Sequence, residues 1–232
     1  MPHKYSVKSY VAGGIYHAFN RGVNKTDIFI DDQDYRVFLH LLKYYLSPVE
    51  SLSSVHPILE ISDMKILRPR PLANLEKEVN LLAYCLMPNH FHLLIQQNTA
   101  DGMTKLLRRI STTYAMYINK RYHRVGYLFQ GSYKAVLVDR DNYLLHLSRY
   151  IHRNPYDLSK MTGRHLVSYP YFSYPYYLKL KHAPWIKPDT ILSYFRNTSS
   201  FTSLPAVESY ADFVEKYEHD SLPHIANLAI DA

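Results

Sequence analysis

A single cysteine among 232 residues, Cys85, excludes an intrachain disulfide, and its place in an apolar stretch gives it a packing role. No run of about 18 apolar residues occurs, which excludes a hydrophobic transmembrane helix. The opening Met1-Pro2-His3-Lys4-Tyr5-Ser6-Val7-Lys8 has no apolar leader, so no secretory signal is expected and a reducing cytoplasm is the expected compartment. No internal repeat is present. What remains is a chain long enough for one sizeable core with an appended tail, at an ordinary 47% hydrophobic content.

Charge is unevenly spread. The formal net charge is +7. Between Asp101 and Arg164, twelve Lys and Arg stand against four Asp, whereas Ser200 to Ala232 holds six acidic residues and one Lys. A concentrated basic stretch suits a polyanion partner, although scattered solvated cations would give the same count. Tyrosine is abundant, at 23 residues, and often sits beside a cation, as in Arg121-Tyr122-His123-Arg124, Tyr133-Lys134 and Arg149-Tyr150. Aromatics interleaved with Arg and Lys fit single-stranded nucleic acid, while most tyrosines serve simply to fill half-buried positions.

Ile15 to Asn20 reads as a first strand, ended by Asn20-Arg21-Gly22. Asp31 to Asp34 supply helix-start residues, and Tyr35, Phe38, Leu39, Leu42, Tyr45 and Leu46 then recur at helical spacing up to Pro48. Residues 48–76 hold four prolines and several serines, the mark of an irregular, mobile insertion. Two apolar strands joined at Pro88-Asn89 follow. Met103, Leu106, Leu107, Ile110, Tyr114, Tyr117 and Ile118 mark an amphipathic helix. Tyr133 to Val138 reads as a strand, and Asp139 or Asp141 caps a helix running to about Asn154, stopped by Pro155. The order strand, helix, strand, strand, helix, strand, helix suits an α+β fold, an antiparallel sheet with helices on one face. Tyr169 to Tyr177 is too proline-broken for a regular element and is expected to pack on the core, with a base-stacking surface as the other reading. Trp185, Tyr194 and Phe195 are expected to anchor the tail. The expected division is a catalytic domain over 1–178 and a tail over 179–232 packing on or extending it.

Two patterns carry chemistry. In a strand, residues i and i+2 share a face, so His90 and His92 project together while Phe91 points into the core. Two imidazoles on one rigid strand make half of a metal site, or else two polar residues on an amphipathic strand. In the last helix, Tyr150 and Asn154 are four residues apart and share a face. Asn154 has a second reading as the helix cap before Pro155. His146, one turn before Tyr150, is expected to pack.

These motifs, in this order, resemble the single-tyrosine HUH transposases, and especially the REP-associated tyrosine transposases. The resemblance runs from about residue 15 to residue 177. It includes Asn20-Arg21-Gly22, Met87-Pro88-Asn89-His90-Phe91-His92-Leu93-Leu94, Gly126-Tyr127-Leu128-Phe129-Gln130-Gly131-Ser132-Tyr133-Lys134-Ala135 and Tyr150-Ile151-His152-Arg153-Asn154-Pro155. It implies a ferredoxin-like, HUH-endonuclease-type domain that binds a divalent metal, Mg²⁺ or Mn²⁺, and cleaves and rejoins single-stranded DNA beside REP-like hairpins through a 5′-phosphotyrosine. By resemblance His90 and His92 are metal ligands, Asn154 is the further ligand and Tyr150 the nucleophile. Candidate DNA contacts are Asn20, Arg21, Arg108, Arg109, Lys134, Arg149 and Arg153. A bacterial, nucleoid-associated protein working as monomer or homodimer, away from membranes, is implied. Where the family commonly has Gly-Arg-Tyr-Lys, this chain has Gly131-Ser132-Tyr133-Lys134, which removes one cation. Two other readings of the residues are a structured nucleic-acid binder that does not cleave and a metal-dependent nuclease that uses water.

Overall fold

The computed structural model describes residues 10–48, 58–61, 64–67, 74–156, 165–196 and 209–216. Four strands form one antiparallel sheet: β1 (Ile15–Arg21), β4 (Val79–Met87), β5 (His90–Gln97) and β6 (Lys134–Val138), in the order β4-β5-β1-β6. A separate antiparallel pair is made by β2 (Ile58–Ile61) and β3 (Met64–Leu67). Most of the irregular insertion expected over 48–76 lies outside the described residues. Within it, the paired β2 and β3 are a correction to the reading of that stretch as irregular throughout.

The expected α+β order otherwise stands, with helices α1 (Asp32–Leu46), α2 (Gly102–Arg121) and α3 (Asp141–Arg153) in their places. Asp31 caps α1 in a reciprocal box with Asp34, each side chain accepting from the other's backbone N–H. α3 departs from expectation at its start. Arg140 is its N-cap, without a side-chain bond, and Asp141 is already helical, so neither Asp139 nor Asp141 caps it.

Helices cover both faces of the sheet, not one. α1 and α2 pack on the face formed by Tyr16, Ala18, Tyr84, Leu86, Phe91, Leu93 and Ile95. The opposite face, with Cys85, Met87, Leu94 and Val138, is covered by α3 and by C-terminal pieces. These are the single-turn α4 (Tyr174–Tyr177), α5 (Asp189–Arg196) and α6 (Tyr210–Glu215). Tyr169 to Tyr177 packs down as expected, but it includes a helical turn with Pro175 in its first positions, where the missing N–H costs nothing. Trp185 is buried in the first core, and Phe195 packs on Tyr210 and Phe213 in the second. Among the described residues no helix is long and apolar enough to cross a membrane.

The α1–α2 side is pinned by one buried carboxylate. Asp34, with a fully buried side chain, accepts from Arg121 at 2.7 Å, from the hydroxyls of Tyr117 and Tyr122 at 2.9 Å and from the N–H of Ile30 at 2.8 Å. A buried charge is tolerable only when its lone pairs are this well used. Asp34→Ala removes the anion and leaves the Tyr117 and Tyr122 hydroxyls without their acceptor, while Arg121 keeps Asp31. It should destabilise the protein by about 3 kcal/mol, read as a fall in the urea midpoint; a loss below about 0.5 kcal/mol would show that the cluster contributes little.

Candidate active site

β5 starts from a turn that is tied down before the first histidine is reached. The carbonyl of Pro88 accepts from the N–H groups of Ile28 and Phe29, and that of Asn89 accepts from Gly22 N–H. Gly22 is required there, because a Cβ would lie 2.1 Å from the Thr26 carbonyl oxygen. Asn89 Nδ2 donates to the Lys25 carbonyl, leaving its Oδ1 2.6 Å from His90 Nδ1. Phe91 points away, fully buried against Phe38 and Phe129 as its position predicts. That burial contributes about 2–3 kcal/mol toward fixing the strand's orientation.

His90 and His92 emerge on the opposite face with ring centroids 4.8 Å apart and planes at 89°. His92 is fully buried, and its Nδ1 lies 2.9 Å from Nε2 of His17, also fully buried. Both imidazoles therefore engage a neighbour through Nδ1. His90 Nε2 lies 3.5 Å from Asn154 Oδ1. His92 Nε2 is buried and has no hydrogen-bond partner of ordinary geometry. Burial, followed by the neighbouring His90, His17 and Arg21, holds the His92 pKa well below the usual histidine value, and Asn154 opposes this. His92 is thus a neutral imidazole, the state that a metal needs.

α3 delivers the other two side chains. Tyr150 is half-buried, its ring edge-on to His92 at 5.5 Å and to His17 at 6.5 Å. The cap reading of Asn154 holds. It is the helix C-cap, with its N–H and its Nδ2 both on the Tyr150 carbonyl, and that second bond turns its Oδ1 toward His90. Two atoms bound to one cation at about 2.1 Å stand about 3.0–3.4 Å apart, and the His90–Asn154 separation is close to that range. An orphaned Nε2, a second inward Nε2 and an amide oxygen fit a divalent cation with two nitrogen donors and one oxygen donor. Among the described residues no group of three or more His, Cys, Asp or Glu could hold a metal, and Asn154 Oδ1 is the candidate donor beside the two imidazoles.

The candidate DNA contacts divide sharply. Lys134 is exposed and pairs with Phe19 across β6 and β1, which places it on the histidine face of the sheet. Arg21 pairs with His90 on that same face. Asn20 does not reach outward. It is buried, braces the Gly131 carbonyl through Nδ2 and accepts from Arg21 N–H. Arg108 and Arg109 lie on α2, across the sheet from the histidines, with Arg109 over the Tyr45 ring. Arg149 is buried and donates to the Phe213 carbonyl, and Arg153 donates to the Val214 carbonyl. These two cations attach α3 to the C-terminal end of α6, where a helix carries partial negative charge. His146 is buried against Phe213, as expected of a packing residue. Ser132, the departure from the family pattern, is exposed.

Sequence reasoning missed His17 and His152. His152 is buried between the Tyr210 hydroxyl and Ser173 Oγ, both at 2.7 Å, and burial pushes its pKa down to about 3. The one available signal for His17 was a histidine inside an apolar strand.

Residues 72–154, the span from β4 to the end of the Tyr150 helix, match the model of the family described as IS200-like transposases. The metal-donor candidates and Tyr150 all fall within it. In three dimensions the chain is similar to a REP-associated tyrosine transposase solved bound to a REP hairpin, with a TM-score of 0.51 and 12% sequence identity over 88% of this chain and 98% of that one. The two therefore share a fold. No curated protein matches in sequence.

Arg149 separates the two roles open to a cation on this helix. Arg149→Leu should lower the protein's stability by about 2 kcal/mol, as expected for losing a charge-assisted bond, and leave the salt slope of DNA binding unchanged. A slope reduced by about 0.7 with stability intact would return Arg149 to the DNA surface.

Proposed function

We propose that the protein is a metal-dependent single-stranded DNA transesterase that cleaves and rejoins DNA beside hairpins of the REP type. The observation carrying this reading is the convergence of Tyr150 with two inward imidazoles and the Asn154 amide on one side of the sheet, within one chain. The family match over that segment supports it, as does the hairpin bound to the structural relative.

In this reading Tyr150 Oη attacks a backbone phosphorus. The P–Oη bond forms and the P–O3′ bond breaks, so the tyrosine proton departs and the released 3′ oxygen takes one up. The 5′-phosphotyrosine keeps the bond energy, and a 3′-hydroxyl can reverse the step. A tyrosine hydroxyl, with a reference pKa near 10, is a weak nucleophile by itself. A divalent cation, Mg²⁺ or Mn²⁺, held by His90, His92 and Asn154 would polarise the phosphate and neutralise its developing charge. Imidazole donors favour Mn²⁺ over Mg²⁺.

In this reading Lys134 and Arg21, on the histidine face of the sheet, meet the DNA backbone. The loop beside them carries an exposed ring. Tyr127 is 90% exposed, yet Leu128 and Phe129, which follow it, are both buried in the core under α1 and α2. Bonds from Val23 N–H to the Leu128 carbonyl and from Gln130 N–H to the Arg21 carbonyl hold that loop against β1. A rigidly mounted, exposed phenol near cations is a base-stacking platform.

Tyr150→Phe should leave folding and hairpin binding intact and abolish cleavage of a 3′-labelled single-stranded hairpin oligonucleotide. The covalent adduct, seen on denaturing gels, should vanish with the hydroxyl. An adduct that survives in Tyr150→Phe would place the nucleophile elsewhere. Free 5′-phosphate with no adduct under rapid quench would assign attack to water. His92→Ala, or chelation of the wild type, should likewise stop cleavage, and Mn²⁺ should restore only the chelated wild type. Tyr127→Ala should weaken single-strand binding about tenfold, by stacking lost from one base, in a fluorescence anisotropy titration.

A further inference from the structure

We propose that His17 is a positioning residue for the cation site: it holds His92 in the tautomer that keeps Nδ1 protonated and presents a bare Nε2 beside His90 and Asn154. The inference rests on the reading of those three residues as a cation site.

A neutral imidazole has one ring proton, and the partner of one nitrogen decides where that proton sits. His17 Nε2 and His92 Nδ1 are 2.9 Å apart, so one of them donates to the other. If His17 donates, the His92 proton moves to Nε2. That N–H would be a buried donor with no bond of good geometry, its candidate acceptor being the Asn154 amide oxygen that also faces His90, and it could not bind a cation. If His92 donates, its Nε2 carries a lone pair aimed into the site.

The geometry is built by the sheet. Phe19 is the residue paired with His92 across β1 and β5, and His17 is paired with Leu94, so His17 reaches His92 on the diagonal. Both rings are fully buried and near parallel, with planes 18° apart and centroids at 5.1 Å. Neither has room to choose another rotamer without opening the core. His90 is oriented by a different device, the Asn89 amide of the turn. One imidazole is therefore aimed from the strand's end and the other from the sheet's interior. An imidazole acceptor orients its partner without adding the charge that a carboxylate would bring.

The test uses the full chain with ring-¹⁵N histidine. Long-range ¹H–¹⁵N spectra of the metal-free wild type should show His92 protonated at Nδ1 and bare at Nε2. H17Q, whose amide oxygen can stand where Nε2 stood, should keep Mn²⁺ affinity within about threefold of wild type. H17L should lose about 10–100-fold, the usual cost of removing a partner behind a metal-bound histidine, in a titration read by the electron paramagnetic resonance of free Mn²⁺. An Nε2–H tautomer in the wild type overturns the assignment, whether or not H17L folds. So does an H17L protein that melts like wild type and binds Mn²⁺ equally well. A wild type with the Nδ1–H ring that takes up no Mn²⁺ overturns the cation site itself, a separate failure.

Discussion

The register of β1 against β5 is the constraint on which the rest depends. β1 lies inside the sheet, bonded to β5 on one side and β6 on the other. Its pairing sets Phe19 opposite His92 and Arg21 opposite His90. Side chains alternate along a strand, so a slip of one residue on β5 would bury His90 and His92 against α1 and α2 and throw Phe91 and Leu93 out of the main core. The apolar face thus enforces the polar one. Phe91, Leu93 and Ile95 hold the register by burial, and the histidines inherit their direction from it.

Tyr150 depends on a second, weaker arrangement. α3 has an apolar stripe toward the sheet, with Leu144, Leu147 and Ile151 buried. A helix lying on a sheet through aliphatic contacts alone can slide. Polar ties remove that freedom: Arg149 and Arg153 grip carbonyls of Phe213 and Val214, and the Tyr210 hydroxyl meets both His152 and Ser148. A neutral His152 satisfies both of its neighbours, donating at one nitrogen and accepting at the other, which agrees with the downward push on its pKa.

Local periodicity made much of this legible in the sequence. The two-residue repeat of His90 and His92 and the four-residue spacing of Tyr150 and Asn154 depend only on the element that carries them. The order of the main elements followed from apolar patterning for the same reason. What stayed hidden depends on distant partners. Arg149 and Arg153 read as phosphate contacts because a cation in a basic stretch gives no hint of a carbonyl about sixty residues away. Asn20 looked like a contact and is a brace, since its acceptor, the Gly131 carbonyl, lies on another segment. His17 could not be singled out, because its importance follows from the β1–β5 register. The helices on both faces were missed for a related reason. An amphipathic helix declares that it has a buried side, but not which face of the sheet receives it.

The attachment of α3 to α6 changes what counts as the edge of this molecule. The chain leaves the sheet after β6, lays down the tyrosine helix, runs through the 165–196 segment and returns to close on that same helix. A fragment ending near residue 178 would not be a complete unit with an accessory removed. It would uncover His146, take the Phe213 and Val214 carbonyls from Arg149 and Arg153 and leave His152 without the Tyr210 hydroxyl, all on the helix that carries Tyr150. The last described segment braces the helix of the candidate site from behind, and this part of the chain contributes none of the candidate chemical groups.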